Sequence, residues 1–139
     1  MSALDELLLW YATLDAASLA ALERYYDPQA RFRDPFNDVA GTPAIRRIFE
    51  HMFATTEAPR FVIGERLPAE RQAFVTWEFE LGLGGRRLAI PGSSHLRFGA
   101  DGRVLVHRDY WDAADLWAQL PLLGTPVAWL RRRFATAQR

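Results

Sequence analysis

The chain has 139 residues, half of them apolar and about a quarter charged, and its 17 basic side chains, all arginine, balance 17 acidic ones to zero formal charge. That length fits one domain with a single core, and the neutral balance argues against a broad surface for nucleic acid or an anionic membrane. With no cysteine, disulfides and thiolate chemistry are excluded. No run is long enough to span a membrane. Met1 to Trp10 carries Asp5 and Glu6 in place of a basic stretch, so it does not read as a signal peptide, and a cytoplasmic location is expected.

In chain order, Ser2 caps a helix on which Leu4, Leu7, Leu8, Tyr11 and Leu14 recur at helical spacing. Asp15 or Ser18 restarts a helical stretch through Leu19, Leu22 and Tyr26, and Asp27-Pro28 stops it. Ala30 to Phe36 reads as a short strand running into a turn, because the residue before Pro35 is pushed to extended geometry. Thr42, as N-cap, and Pro43 open another helix, with Ile45, Ile48, Phe49, Met52 and Phe53 as its buried stripe.

From Arg60 the period changes to alternation. Phe61 to Arg66 is a strand, Pro68-Ala69-Glu70 its turn, and Gln72 to Leu83 a long strand with Ala73, Val75, Trp77, Phe79 and Leu81 on its apolar face. Gly84-Gly85 signals a tight hairpin, and Pro91-Gly92 suggests a bulge or an edge in the return strand, Arg86 to Phe98. After the turn Gly99 to Gly102, a last strand places Leu105, His107, Asp109 and Trp111 on one face and Val106, Arg108, Tyr110 and Asp112 on the other. A face with His, Asp and Trp together is the wall of a polar-floored pocket or a well-paired piece of core, since an unpaired buried carboxylate is too costly. Asp112 caps a helix holding Leu116, Trp117 and Leu120, and Thr125-Pro126 starts another that ends in Arg131-Arg132-Arg133. The expected fold is α+β, helices over one face of a curved, mainly antiparallel sheet, in one domain over 1–139 with residues 113–139 as a helical extension.

Two stretches resemble bacterial ketosteroid isomerases: Ala30 to Gly41, "ARFRDPFNDVAG", with the helix after it, and His95 to Leu116, "HLRFGADGRVLVHRDYWDAADL". The likeness, from about Leu4 to Leu116, identifies the chain as a member of the nuclear transport factor two-like superfamily, which includes SnoaL-like domains. It implies a cone of helices closed by a bent sheet around an apolar pocket. It also implies Asp34 as the catalytic carboxylate, Tyr26 in a supporting hydrogen-bond network and Tyr11 near the donor to the oxyanion. Ser94 falls where the isomerases keep a protonated aspartic acid, Phe49 where some have tyrosine, and Asp109 on a wall position that is apolar there. The same likeness implies a homodimer formed through the sheet face that carries Arg108 and Tyr110.

Each candidate has two readings. Asp34 is a base or a turn residue. Asp109 is a catalytic or ligand-binding carboxylate or the ion-pair partner of Arg31 or Arg33. His107 is structural or, bonded to Asp109, part of an acid–base relay. Tyr11 and Tyr26 pack the core or donate hydrogen bonds. Trp77, Phe79 and Trp111 become ligand contacts, with Phe49 and Ser94, if the cone is open; Ser94 has no histidine at triad spacing to make it a nucleophile. His51, His95 and His107 lack paired-ligand spacing, and no phosphate loop or dinucleotide fingerprint is present, so neither metal nor organic cofactor is expected. Two functions remain: proton transfer by Asp34, with Asp109 and His107, on a small apolar carbonyl substrate, as in an isomerase or a SnoaL-like cyclase, or a non-catalytic ligand-binding or dimeric interaction module.

Overall fold

The computed structural model describes residues 1–120 together with Pro126, Trp129 and Arg133. Helix α1 (Ala3–Ala12) starts on a capping box: Ser2 Oγ accepts from the Asp5 backbone N–H, and the Asp5 carboxylate accepts from the Ser2 N–H. Both donors belong to the group that a helix start leaves unpaired. Leu7, Leu8, Trp10 and Tyr11 are its buried residues. Asp15 and Ser18 are joined by three hydrogen bonds and lead into a 3-10 helix (Ala17–Ala21) and one α turn, α2 (Leu22–Tyr25).

The chain continues as β1 (Tyr26–Arg33), β2 (Asp38–Ala40), α3 (Thr42–Thr55), β3 (Glu57–Ala69), β4 (Gln72–Leu83), β5 (Arg86–Phe98), β6 (Val104–Trp111) and α4 (Ala113–Trp117). The six strands of the described residues form one sheet in the order β2-β1-β6-β5-β4-β3. All neighbours are antiparallel except β1 and β6, which run parallel. This is the α+β cone expected. Its main core lies where α1, α2 and α3 meet the inner face of the sheet, with Leu22, Tyr26, Ala30, Ile45, Leu96 and Val104 fully buried. No described helix is long and apolar enough to cross a membrane.

Several local expectations are corrected. Tyr26 opens β1 instead of closing a helix, and β1 runs through Asp27-Pro28. The β1–β6 register shifts between Tyr26 and Arg31, so the missing proline N–H falls where no regular ladder bond is made. The N-cap of α3 is Gly41, at φ 93°, one residue before Thr42, and β2 was not foreseen. The first hairpin turns at Glu70 and Arg71 beyond Pro68-Ala69, with Arg71 left-handed at φ 54°. Leu105 does not share a face with His107: Phe98 pairs with Val104 and Arg97 with Val106, so Leu105 is the extra residue of a bulge and is 40% exposed.

Pro91 makes no bulge with β4, whose pairing to β5 is unbroken from Gln72 to Leu83. It sits instead where β5 becomes an edge, since β6 pairing ends at Gly92 and Trp111. Beyond that point the Gln119 amide stands in for a strand, donating to the Ala89 carbonyl at 2.9 Å and accepting from the Ala89 N–H at 3.2 Å. A side chain thus blunts an open edge that would otherwise invite pairing. Gly84 and Gly85, at φ 58° and 78°, supply the left-handed pair a tight hairpin needs. Asp112 caps α4 as expected, through the Ala114 N–H. The helix expected from Thr125-Pro126 to Arg133, like the extension beyond Leu120, lies outside the described residues apart from Pro126, Trp129 and Arg133.

Candidate active site

On α3, Ala44, Arg47, Ile48, His51 and Met52 follow the spacing i, i+3, i+4, i+7, i+8 that makes one stripe of a helix. All five line a cavity of about 490 Å³ between the helices and the sheet. The alternation of β4 turns Val75, Trp77, Phe79 and Leu81 into the same space, and β6 adds His107, Asp109 and Trp111. Leu8 and Tyr11 of α1, Phe49 of α3 and Ser94 and Leu96 of β5 complete much of the wall. Phe36, Arg47 and His51 are exposed as well as cavity-lining, which places the mouth beside them. Ser94 and His107, each 4% exposed, mark the enclosed end.

A continuous hydrogen-bond chain occupies that end. Trp77 Nε1 donates to Ser94 Oγ at 2.9 Å, and Ser94 Oγ donates to Asp109 Oδ1 at 2.5 Å. His107 Nε2 lies 2.6 Å from the same Asp109 oxygen, and its Nδ1 lies 2.7 Å from Tyr26 Oη and 3.3 Å from Tyr11 Oη. The two tyrosine hydroxyls also bond each other. An ionised carboxylate can only accept, so His107 carries its proton on Nε2 and Nδ1 accepts from Tyr26, which in turn accepts from Tyr11. Every donor then points along the chain toward Asp109. Burial, reinforced by the Asp109 charge, pushes both phenols above their ordinary range, so they act as neutral hydroxyls.

Asp109 has both its bonds on Oδ1; its other oxygen has no partner among the described residues, and the side chain, 15% exposed, lines the cavity. The alternative pairing with Arg31 or Arg33 is not seen, and Arg31 instead lies 3.8 Å from Asp38. Asp34 is also on the cavity wall but is held in a turn: its Oδ1 accepts from the backbone N–H groups of Phe36 and Asn37 and from Asn37 Nδ2, and its Oδ2 from Asn37 Nδ2. Tyr26 does not line the cavity; it stands behind Tyr11 and His107, fully buried.

The aromatic candidates form the apolar walls. Phe61 stacks on Phe79 at 4.6 Å and meets Trp77 edge-on at 5.7 Å. Phe36, 58% exposed, meets Trp111 edge-on at 5.3 Å near the mouth, and Phe49 packs against Phe32 and Trp10. Trp77 can lie across the sheet because residue 92 is glycine: a Cβ there would sit 2.3 Å from its ring. Sequence reasoning missed Arg47 and His51. Their signal was present in the spacing with Ala44, Ile48 and Met52, but the adjacent Ile45, Phe49 and Phe53 suggested a purely apolar stripe.

A helix-covered, mostly antiparallel sheet folded round such a cavity is the nuclear transport factor two-like fold. Within it the chain belongs to the SnoaL-like domain family, which residues 8–107 match. No curated protein matches the sequence. Among solved structures, a putative SnoaL-like polyketide cyclase from Shewanella putrefaciens is 19% identical, with a TM-score of 0.73 over 88% of this chain and 98% of that one. An NTF2-like protein of unknown function from Burkholderia pseudomallei is 17% identical, TM-score 0.74, over 84% and 95%. A protein of ketosteroid isomerase-like fold from Catenulispora acidiphila, in complex with trimethylamine, is 16% identical, TM-score 0.72, over 91% and 95%. At these identities the likeness shows the fold.

Proposed function

We propose that the protein is an enzyme that moves a proton at a carbon next to the carbonyl of an apolar substrate, with Asp109 as the general base. The observation that carries this reading is the position of Asp109, which lines an apolar cavity while one of its oxygens is held by His107 and Ser94 and the other has no partner among the described residues. That oxygen takes the proton from carbon, the electron pair moves onto the carbonyl oxygen as an enolate, and the proton returns to the same carbon or to a conjugated one. His107 is a positioning residue: both ring nitrogens are engaged, one by Asp109 and one by Tyr26. Tyr11 lies on the same wall and is neutral, and because its proton is given to Tyr26 it would have to turn from that bond to donate to the developing negative charge. The base role that the isomerase likeness gives Asp34 thus passes to Asp109. A cavity of about 490 Å³ suits a drug-sized ligand of two or three fused rings.

The test is conversion of an unconjugated β,γ-enone to its conjugated isomer, followed by ultraviolet absorbance. Turnover by the wild type and its loss in Asp109→Asn are expected; equal turnover in both would remove Asp109 from the base role. One observation favours a ligand-binding module instead: among the described residues no side-chain oxygen or nitrogen wholly shut off from solvent lacks a partner, as in a purely structural network, the unpartnered Asp109 oxygen not being wholly shut off. Saturable binding of the enone with no conversion would select that second reading.

We also propose that the outer face of the sheet pairs with a second copy. Arg108 lies 4.7 Å over the Tyr110 ring on this face, and Phe74, Val106 and Tyr110 are exposed there. Sedimentation showing only monomer at micromolar concentration contradicts the dimer.

A further inference from the structure

The cavity carries two carboxylates, Asp109 and Asp34, which follow the paired residues Arg108 and Arg33; the rest of its walls are largely apolar, and at the mouth Arg47 projects from the cavity-facing stripe of α3. Arg46, its neighbour, leaves that stripe and pairs with Glu23 at 2.6 Å. Arg47 has no hydrogen bond or ion pair with any described residue, although Asp34 shares the cavity wall. The Asp34 oxygens are instead filled by donors of their own turn. An unpaired guanidinium at the rim of an apolar chamber is a ready partner for a planar anion, which it can bind with two parallel N–H bonds.

We infer that Arg47 is a specificity-determining residue that takes a carboxylate on the substrate. The substrate class is then an apolar ring compound with the reacting carbonyl at one end and a carboxylate at the other. The first end reaches Asp109, and the second stays at the mouth, where the charge keeps part of its hydration. A neutral ester of the same compound would leave the guanidinium with water alone. This inference rests on the cavity of the proposed function for its location, but it concerns binding and not proton transfer.

The experiment measures binding, by quenching of tryptophan fluorescence, of acetylnaphthoic acid with its acetyl and carboxyl groups at opposite ends of the ring pair, and of its methyl ester. Wild type, Arg47→Gln and His51→Gln are compared at low and high salt. The expected result is a preference of the wild type for the acid of about fivefold, typical of a partly exposed ion pair, which weakens at high salt. Arg47→Gln loses the preference by weakening the acid alone, and His51→Gln keeps it. Equal binding of acid and ester to the wild type overturns the inference, as does a preference that survives in Arg47→Gln. Failure to bind either compound overturns it together with the cavity reading. Acid-selective binding without enone turnover leaves Arg47 in its place and sinks the catalytic proposal alone.

Discussion

Asp34 and Asp109 are both aspartates on the wall of the same cavity, yet their surroundings divide them. Asp34 belongs to the turn after β1: its donors come from Phe36 and Asn37, within three residues of it, and they fill both oxygens. Asp109 belongs to the enclosed end: its donors come from β5 and β6, and they meet on one oxygen. Local donors make a carboxylate a turn-closing group, because the chain that bonds it is the chain it folds. A donor from the neighbouring strand, Ser94, that converges with His107 on one oxygen leaves the other free for a ligand. The enclosed end is thus where the chemistry is expected, and the mouth is where selection among substrates is expected.

The largest effect predicted follows from that division. Asp109→Asn should lower turnover by about a hundredfold to ten-thousandfold, the range for loss of a general base, with a nearly unchanged melting temperature because an amide can still accept from His107 and Ser94. Next, Gly92→Ala should destabilise by about 1–3 kcal/mol through overpacking, since its Cβ meets the Trp77 ring and drives it off Ser94. Thermal melting together with a shifted tryptophan emission would register it; an unchanged emission would mean the ring does not need the glycine.

Alkaline pH probes the same end. Tyr11 and Tyr26 have pKa values raised above the ordinary 10.0 in the folded chain, chiefly by burial. Below pH 10 both folded and unfolded phenols are neutral and nothing changes. Above it the unfolded chain releases protons that the folded chain retains, so stability should fall with rising pH, by about 1.4 kcal/mol per pH unit for each phenol. Urea melts at pH 9 and 11 test this, and a flat profile would place the hydroxyls in contact with solvent. Tyr26→Phe should cost about 1 kcal/mol, since His107 Nδ1 keeps only the longer contact to Tyr11. Smallest is Asp34→Ala, a loosened turn worth about 0.5–1 kcal/mol with turnover largely kept. If Asp34→Ala proved costlier to turnover than Asp109→Asn, the two ends would have to exchange roles.

The sequence displayed most of the frame. The alternation of Gln72 to Leu83, the Gly84-Gly85 turn and the stripe of α3 are periodic signals set by local geometry, and the structure has them where they were read. The placement of His107, Asp109 and Trp111 along one strand likewise pointed to a polar-floored wall. What escaped were non-local facts. The bulge at Leu105 depends on a register with Phe98, the passage of β1 through Pro28 depends on an irregular pairing with β6, and the edge at Pro91 depends on where β6 ends. The link from Ser94 to Asp109 spans two strands, so no spacing in the chain reveals it. Asp34 drew attention through a familiar motif, while the Asn37 that occupies it was two residues past the proline.

The most direct test of the account is the rate at which the acetyl protons of acetylnaphthoate exchange with deuterium in heavy water, followed by proton magnetic resonance, for wild type, Asp109→Asn and Asp34→Asn. Enzyme-dependent exchange that is lost in Asp109→Asn and kept in Asp34→Asn is the predicted result. Exchange that survives in Asp109→Asn, or that disappears only in Asp34→Asn, would contradict the assignment of the base to the enclosed end of the cavity.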